Sequence, residues 1–259
     1  MILPPDLSLP AASNGYCRRC RSEHRLGPGD TLAACRGLME NLERQTTIDL
    51  FPGSSSPDPA LTTDYLFGPA RGKMFGILEG RDQEGQHRFL YAFSGQYNGR
   101  WLVDGWVPPL FDTAAYASIN EPAERRIKEI GGEMARWRED AEQYQLLHRE
   151  RAAQSRQLMR DLHHLYRLRN FRGEEVSMAE AFIGDGGMPT GTGDCCAPKL
   201  LGAALRLGLY PLGLSEFYWG RENRSGTRRH GQFSPACPEK CAPILGYMLC
   251  GLDRREGSR

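Results

Sequence analysis

At 259 residues and 29.0 kDa, with 40% hydrophobic residues, the chain is long enough to bury a core, which excludes disorder throughout. A formal net charge of +1 excludes overall electrostatics as a guide to any partner. No stretch approaches the roughly 20 apolar residues of a membrane span. The Pro- and Ser-containing start, 1–14, lacks the basic and apolar regions of a signal peptide, so a cytoplasmic protein without membrane partners is expected.

Taken in order, a short N-terminal segment carries Cys17-Arg-Arg-Cys20 and His24. A helical pattern follows over 31–44, with Leu32, Cys35, Leu38, Met39 and Leu42 on one side. Gly53-Ser-Ser-Ser-Pro57-Asp-Pro59 is a loop by composition. Strand-like runs at 74–79, 88–94 and 100–107 come next, the last two separated by Tyr97-Asn98-Gly99. Asn-Gly accepts the positive φ of a tight turn, so an antiparallel meander closed by Pro108-Pro109 is expected.

From 121 to 170 the period lengthens to threes and fours through Ile127, Ile130, Met134, Trp137, Ala141, Tyr144 and His148, and again at Leu158, Leu162 and Leu165. This predicts long helix bent into a hairpin, with Gly131-Gly132 weakening its start. Charge is uneven here: Arg149, Arg151, Arg156, Arg160, Arg167, Arg169 and Arg172 face only Glu150 and Asp161. The plain reading is a solvated helical arm, which could also mediate dimerisation; the sharper one is an arm that grips RNA phosphates. A second basic stretch holds Arg221, Arg224, Arg228 and Arg229. The candidate RNA contacts are Arg149, Arg156, Arg160, Arg167, Arg169, Arg228 and Arg229.

The Gly-rich run 184–193 leads into a helix expected near Asp194, and it lacks the Gly-Lys-Ser/Thr ending of a P-loop. A strand is expected over 212–219 and an apolar helix over 238–252. Cys195 would then start one helix, and Cys237 and Cys241 another. Thiols four apart share a helix face, and a helix N-terminus lowers a thiol's pKa. Cys195, Cys237 and Cys241 with His230 therefore read as a tetrahedral zinc site, the alternative being buried thiols in a core. Cys196 and Cys250 read as core. Cys17, Cys20, His24 and Cys35 could close a second metal site.

The motif order resembles that of zinc-dependent nucleobase deaminases, in which a metal ligand is followed by a catalytic Glu and then by Pro-Cys-x-x-Cys. Gly193-Asp-Cys195-Cys-Ala197-Pro-Lys199 and Pro235-Ala-Cys237-x3-Cys241 carry the likeness. The resemblance places Ala197 where the proton-shuttling Glu would stand, and the cysteine pair is spaced by three residues rather than two. Loss of such a base costs about 10²- to 10⁴-fold; Asp194 or Glu216 could substitute if the fold brings either close.

A wider resemblance rests on Gly68-Pro-Ala-Arg-Gly-Lys-Met-Phe-Gly76, Ala92-Phe-Ser-Gly-Gln96, Trp106-Val-Pro-Pro-Leu-Phe-Asp112, Gly191-Thr-Gly-Asp-Cys-Cys-Ala-Pro-Lys-Leu-Leu201, Glu216-Phe-Tyr-Trp-Gly220 and the run from His230 to Leu249. These are similar to the N-terminal extension of bacterial RNA pseudouridine synthases of the large-ribosomal-subunit and tRNA class. The synthase's His-Arg-Leu-Asp motif is not found in this sequence, which ends at Arg259, where that domain would begin. The resemblance implies a zinc- and RNA-binding accessory domain that recognises rRNA or tRNA beside a pseudouridine synthase. The alternative is a zinc-dependent nucleobase or nucleoside deaminase-type hydrolase.

The expected fold is α+β, an antiparallel sheet flanked by helices in a deaminase-like manner with a long helical-hairpin insertion. Its expected parts are an N-terminal cysteine segment and helix (1–52), a core carrying the cysteine site (60–115 and 173–259), and an inserted arm (120–172).

Overall fold

The computed structural model describes residues 12–50, 58–184 and 186–252. The loop read at 53–57, the first residues of the Pro-containing start and Asp185 of the Gly-rich run lie outside them. The chain is mixed helix and antiparallel sheet, and it divides into two compact units. One comprises 1–110, 168–176 and 181–259; the other comprises 111–167 and 177–180.

In the larger unit β1 (Ser13–Cys17) and β2 (Ser22–Leu26) form an antiparallel hairpin that the sequence pattern does not announce. Its turn closes with the Arg21 N–H donating to Cys17 O at 2.8 Å, and Arg21 takes a φ of 58°. Helix α1 (Thr31–Gln45) buries Cys35, Leu38, Met39 and Leu42, the stripe expected of it. A 3-10 turn (Pro59–Leu61) and the short α2 (Asp64–Phe67) lead into β3 (Lys73–Arg81) and β4 (His87–Phe93).

The third expected strand, 100–107, is absent. Asn98 and Gly99 do take positive φ, 46° and 81°, but they close only an isolated bridge between Tyr97 and Arg100. Gly105, at a φ of 79°, and Pro108-Pro109 break the extended run, and Val107 reaches β4 through one bond to Tyr91 O. Trp106 turns inward instead: it packs on Phe75 and Phe93, and its Nε1 donates to Ile48 O at 2.8 Å.

After α5 (Met178–Ala181), which bridges both units in sequence, come α6 (Cys196–Arg206), β7 (Tyr210–Trp219) and α7 (Ala242–Leu249). The main sheet runs β4-β3-β7, all antiparallel, with β3 central and buried on both faces. Alternation along β3 explains the layers. Phe75 and Ile77 join Leu38, Leu42, Phe217 and Trp219 in the core on the α1 side. Gly76 faces the other way, where a Cβ would stand 2.6 Å from that of Cys196, so α6 lies close against the sheet there. Glu216 pairs with Gly76 across β3 and β7 and points to the same side.

In the smaller unit α3 (Thr113–Arg136) and α4 (Ala141–His164) pack together through Ile130, Met134 and Leu147, with Tyr144 against them. Asp112 and Asp140 cap the two helices by accepting from Ala115 and Gln143 N–H groups. Arg126 ties them by a 2.7 Å ion pair to Glu150. Gly131-Gly132 sits within α3 without ending it. The short pair β5 (Arg167–Arg169) and β6 (Glu175–Ser177), which lies mostly in the larger unit, follows α4. No helix among the described residues is long and apolar enough to cross a membrane.

Candidate metal centre

The hairpin places Cys17 at the end of β1, Cys20 in the turn and His24 on β2, and the chain leaves α7 at Cys250 beside them. The three thiols and the imidazole offer ligand atoms that all lie within 4.8 Å of one another. Cys20 Sγ is 3.0 Å from His24 Nε2 and 3.6 Å from Cys250 Sγ. Tetrahedral sulfur ligands at about 2.3 Å from an ion stand roughly 3.7 Å apart, so the donor set and spacing fit a four-coordinate metal ion. Cys17, His24 and Cys250 are buried and Cys20 half-buried, which closes the site to substrate.

Burial pushes the Cys20 thiol up, but hydrogen bonds with His24, Cys250 and Cys17 and from the Ser22 backbone outweigh it and bring it down to about 6. Burial dominates at Cys250, together with its contacts to Cys20 and Cys17, and raises it to about 12. One thiol is thus held as the thiolate and another as its proton donor, the arrangement a bound cation would replace.

The fourth ligand differs from expectation. Cys35 lies on the inward stripe of α1 within the hydrophobic core, where burial raises its thiol to about 12, and it does not join Cys17, Cys20 and His24. Cys250, read from sequence as core, takes that place. The signal that could have separated them is position. Cys35 keeps step with Leu38, Met39 and Leu42, whereas Cys250 ends an apolar helix just before Gly251, which has a φ of 96°.

The centre depends on close approach of α7 to β1. A Cβ on Gly246 would stand 2.1 Å from Tyr16 O, and one on Gly15 would stand 2.5 Å from Gly246 N. Gly246→Ala is therefore expected to push the elements carrying Cys17 and Cys250 apart, destabilising the chain by about 1–3 kcal/mol. Metal affinity should fall about tenfold although no ligand changes. Competition against a chromogenic chelator would measure this, and an unchanged affinity would show that the helix contact does not set the site.

The other cysteines meet at the facing starts of α6 and α7, where Cys195 and Cys241 are the capping residues. The Cys241 thiol is pushed well above its usual range, first by a hydrogen bond to Cys195, then by burial and the nearby Cys195, Glu216 and Cys237. Among the described residues these thiols do not form a convergent ligand set of the kind built around Cys20. His230 is not with them: its Nδ1 accepts the Gly220 N–H at 3.1 Å and its ring lies 4.1 Å from that of Trp219. Pairing with Gly220 and a tilted ring contact with Trp219 hold it at the end of β7.

Glu216 does reach the cysteine helices. Its carboxylate accepts the Ala197 N–H at 2.9 Å, and burial raises it to about 7 against the pull of Ala197 and Arg228. Lys199, fully buried on α6, donates to Phe93 O at 2.7 Å, and burial lowers it to about 8. The Cys196 thiol donates to Met74 O at 3.3 Å, a satisfied core position.

Arg149, Arg156 and Arg160 are exposed on α4, at a spacing of seven and four that puts them on one face. Arg167 and Arg169 are exposed on β5, with Arg169 ion-paired to Glu175 at 3.5 Å. Arg229 is exposed, whereas Arg228 is half-buried and turns its guanidinium to Met74 Sδ at 2.7 Å, toward Glu216. No protein-family model, curated protein or solved structure matches the chain.

Proposed function

We propose that this chain is a zinc-binding, RNA-binding accessory domain that works in the cytoplasm beside an RNA pseudouridine synthase. The observation that carries the metal half is the convergence of Cys17, Cys20, His24 and Cys250. A closed set of three thiols and an imidazole suits zinc, whose structural sites use four such ligands and leave no open position. Its role is to clamp the N-terminal hairpin to the end of α7, so the ion is structural.

The RNA half is supported by the exposed arginine face of α4, which carries positive charge with little acidic company. In this reading α3 and α4 are a helical-hairpin insertion in a deaminase-like core. The tie to pseudouridine synthases comes from the resemblance of the sequence runs. Joint replacement of Arg149, Arg156 and Arg160 by Glu is expected to weaken binding of rRNA or tRNA fragments. It should also make the dependence of log affinity on log salt shallower by about two to three, since each lost phosphate contact removes roughly 0.7–0.9 from the slope. Electrophoretic or fluorescence titrations at several salt concentrations would read this. An unchanged slope would remove the arm from the RNA contact.

A second reading, a zinc-dependent hydrolase, is favoured by Glu216. Its carboxylate lies at the Ala197 backbone, beside the helix starts that carry Cys195 and Cys241. In that reading the metal lies at those thiols and Glu216 holds the proton that a deaminase Glu would move. Ammonia release from nucleosides or RNA, lost in Glu216→Gln, would support it. A silent panel with metal present at the α6–α7 thiols would reject it.

A further inference from the structure

Away from both cysteine clusters, the larger unit holds a cleft of about 870 Å³ where β7 ends. Local structure fixes its walls. The loop after Trp219 returns antiparallel, with Gly231 N–H donating to Tyr218 O at 2.7 Å and Tyr218 N–H to Gln232 O at 2.9 Å. That return lays His230 against Trp219, their ring centroids 4.1 Å apart, and 5.3 Å from Phe67 at the end of α2. Since Nδ1 accepts from Gly220, the His230 proton sits on Nε2, which remains a donor.

Two features of this wall are unusual for a plain surface. Phe67 is 47% exposed, so a broad aromatic face is open to solvent beside a cavity. Trp219 is only 5% exposed, and its Nε1 finds no hydrogen-bond partner among the described residues. That N–H is shut off from solvent, so Trp219 offers the cleft only its ring, as backing for His230. Around the aromatic floor stand Arg44, Arg221 and Arg229, and among them the carboxylates of Glu40, Glu43 and Glu222, all exposed.

A molecule that satisfies all of this needs a flat face to stack, polar edges that donate and accept, and an anionic group for the arginines. A fatty chain or an apolar peptide supplies only the first part of that list. A nucleotide supplies each: bases stack on aromatic rings, amino edges donate to carboxylates, and phosphate suits the planar fork of arginine. The volume lies within the range of small-ligand sites.

We propose that this cleft binds one nucleotide unit, its base stacked on Phe67 beside His230 and its phosphate held by Arg44, Arg221 and Arg229. The inference deepens the RNA reading and rests on it only for the source of the nucleotide, which is either free or an unstacked residue of an RNA strand. The arginine face of α4 and this cleft share no residue, so each can fail alone.

The test is calorimetric titration of the full, zinc-loaded chain with the ribonucleoside 5′-monophosphates, with ribose 5-phosphate as the control lacking a base, and with a short single-stranded oligoribonucleotide. Wild type is compared with Phe67→Ala, Phe67→Trp and Arg229→Glu. Because Phe67 is half exposed, its truncation should leave thermal unfolding nearly unchanged, and that is checked first. Phe67→Ala is expected to weaken binding about ten- to a hundredfold, the range of one base–aromatic stack. Phe67→Trp should restore it, Arg229→Glu should weaken it, and ribose 5-phosphate should bind poorly to all.

Sensitivity of both monophosphates and oligonucleotide to Phe67 supports the cleft for either source. Sensitivity of the oligonucleotide alone assigns it to RNA. Monophosphate binding that depends on Phe67 without any RNA binding keeps the cleft and rejects the RNA reading. RNA binding indifferent to Phe67 and Arg229, with no monophosphate bound, overturns the cleft while the RNA reading stands. Binding of neither overturns both.

Discussion

Replacing Cys250 with serine is expected to remove one zinc per chain and to lower the thermal midpoint more than any other single change at the cysteines. Three ligands come from one hairpin, within eight residues of sequence, and the fourth is 230 residues beyond Cys20. Without the fourth, the three hairpin ligands leave the ion one donor short and exposed to exchange, and no metal–ligand bond ties the hairpin to α7. The size of the effect follows from linkage. With free zinc at about a thousand times its dissociation constant, a site present only in the folded state adds roughly 4 kcal/mol. Chelation of the wild type should reproduce the Cys250→Ser midpoint, and Cys35→Ser should keep its zinc because Cys35 faces the core. Metal analysis beside calorimetry tests both halves. Zinc retained in Cys250→Ser, or lost in Cys35→Ser, would return the ligand set to the one the sequence suggested. Zinc lost only in Cys241→Ser would place the ion at α6 and α7 instead.

What the sequence reveals and what it hides divide along physical lines. The central strand β3 is legible because a strand buried on both faces must be apolar at nearly every position, and Met74 to Leu78 is. Helix α1 is legible from its one-sided apolar stripe, α6 from the Gly-rich run that leads into it, and the arm from its long period. The β1–β2 hairpin is not, since Ser-Asn-Gly-Tyr-Cys and Ser-Glu-His-Arg-Leu carry little apolar alternation. Its buried side is made of Ser13, Gly15 and Cys17, small groups that let α7 approach, so its stability lies in distant packing that no local window contains. The 100–107 run misleads for the opposite reason: its residues suit a strand, but Gly105 and the prolines deny it a ladder. At the site, spacing alone groups Cys17, Cys20 and His24. The fourth ligand depends on where the C-terminal helix ends in space. His230 reads as a ligand by its nearness in sequence to the cysteines, and its contact with Trp219 and bond from Gly220 place it elsewhere.

Glu216→Gln is expected to make the chain more stable than wild type at pH 8 and equal to it near pH 4.5. The Glu216 carboxyl is wholly buried, and burial lifts it from its ordinary value of 4.5 to about 7, with Ala197 N–H and Arg228 opposing. Between those values the folded chain keeps a proton that the unfolded chain has released. Folding stability from this group is therefore complete below about pH 4.5, falls as pH rises toward 7, and is flat above. At about 1.4 kcal/mol per unit the fall amounts to roughly 3 kcal/mol. Gln keeps an acceptor for Ala197 N–H and never ionises, so its curve lacks this slope. His163 and His230, both lowered by burial, titrate in both proteins and cancel in the difference. Denaturant unfolding across pH 4.5–8 measures it, and parallel curves for the two proteins would mean that Glu216 ionises normally. A diverging pair would mean that the wild type carries a carboxylate at pH 8 that its fold is more stable without. The stability of the sheet would then not account for a carboxyl beside Cys195 and Cys241, and the hydrolase reading supplies a use for it that the purely structural one does not.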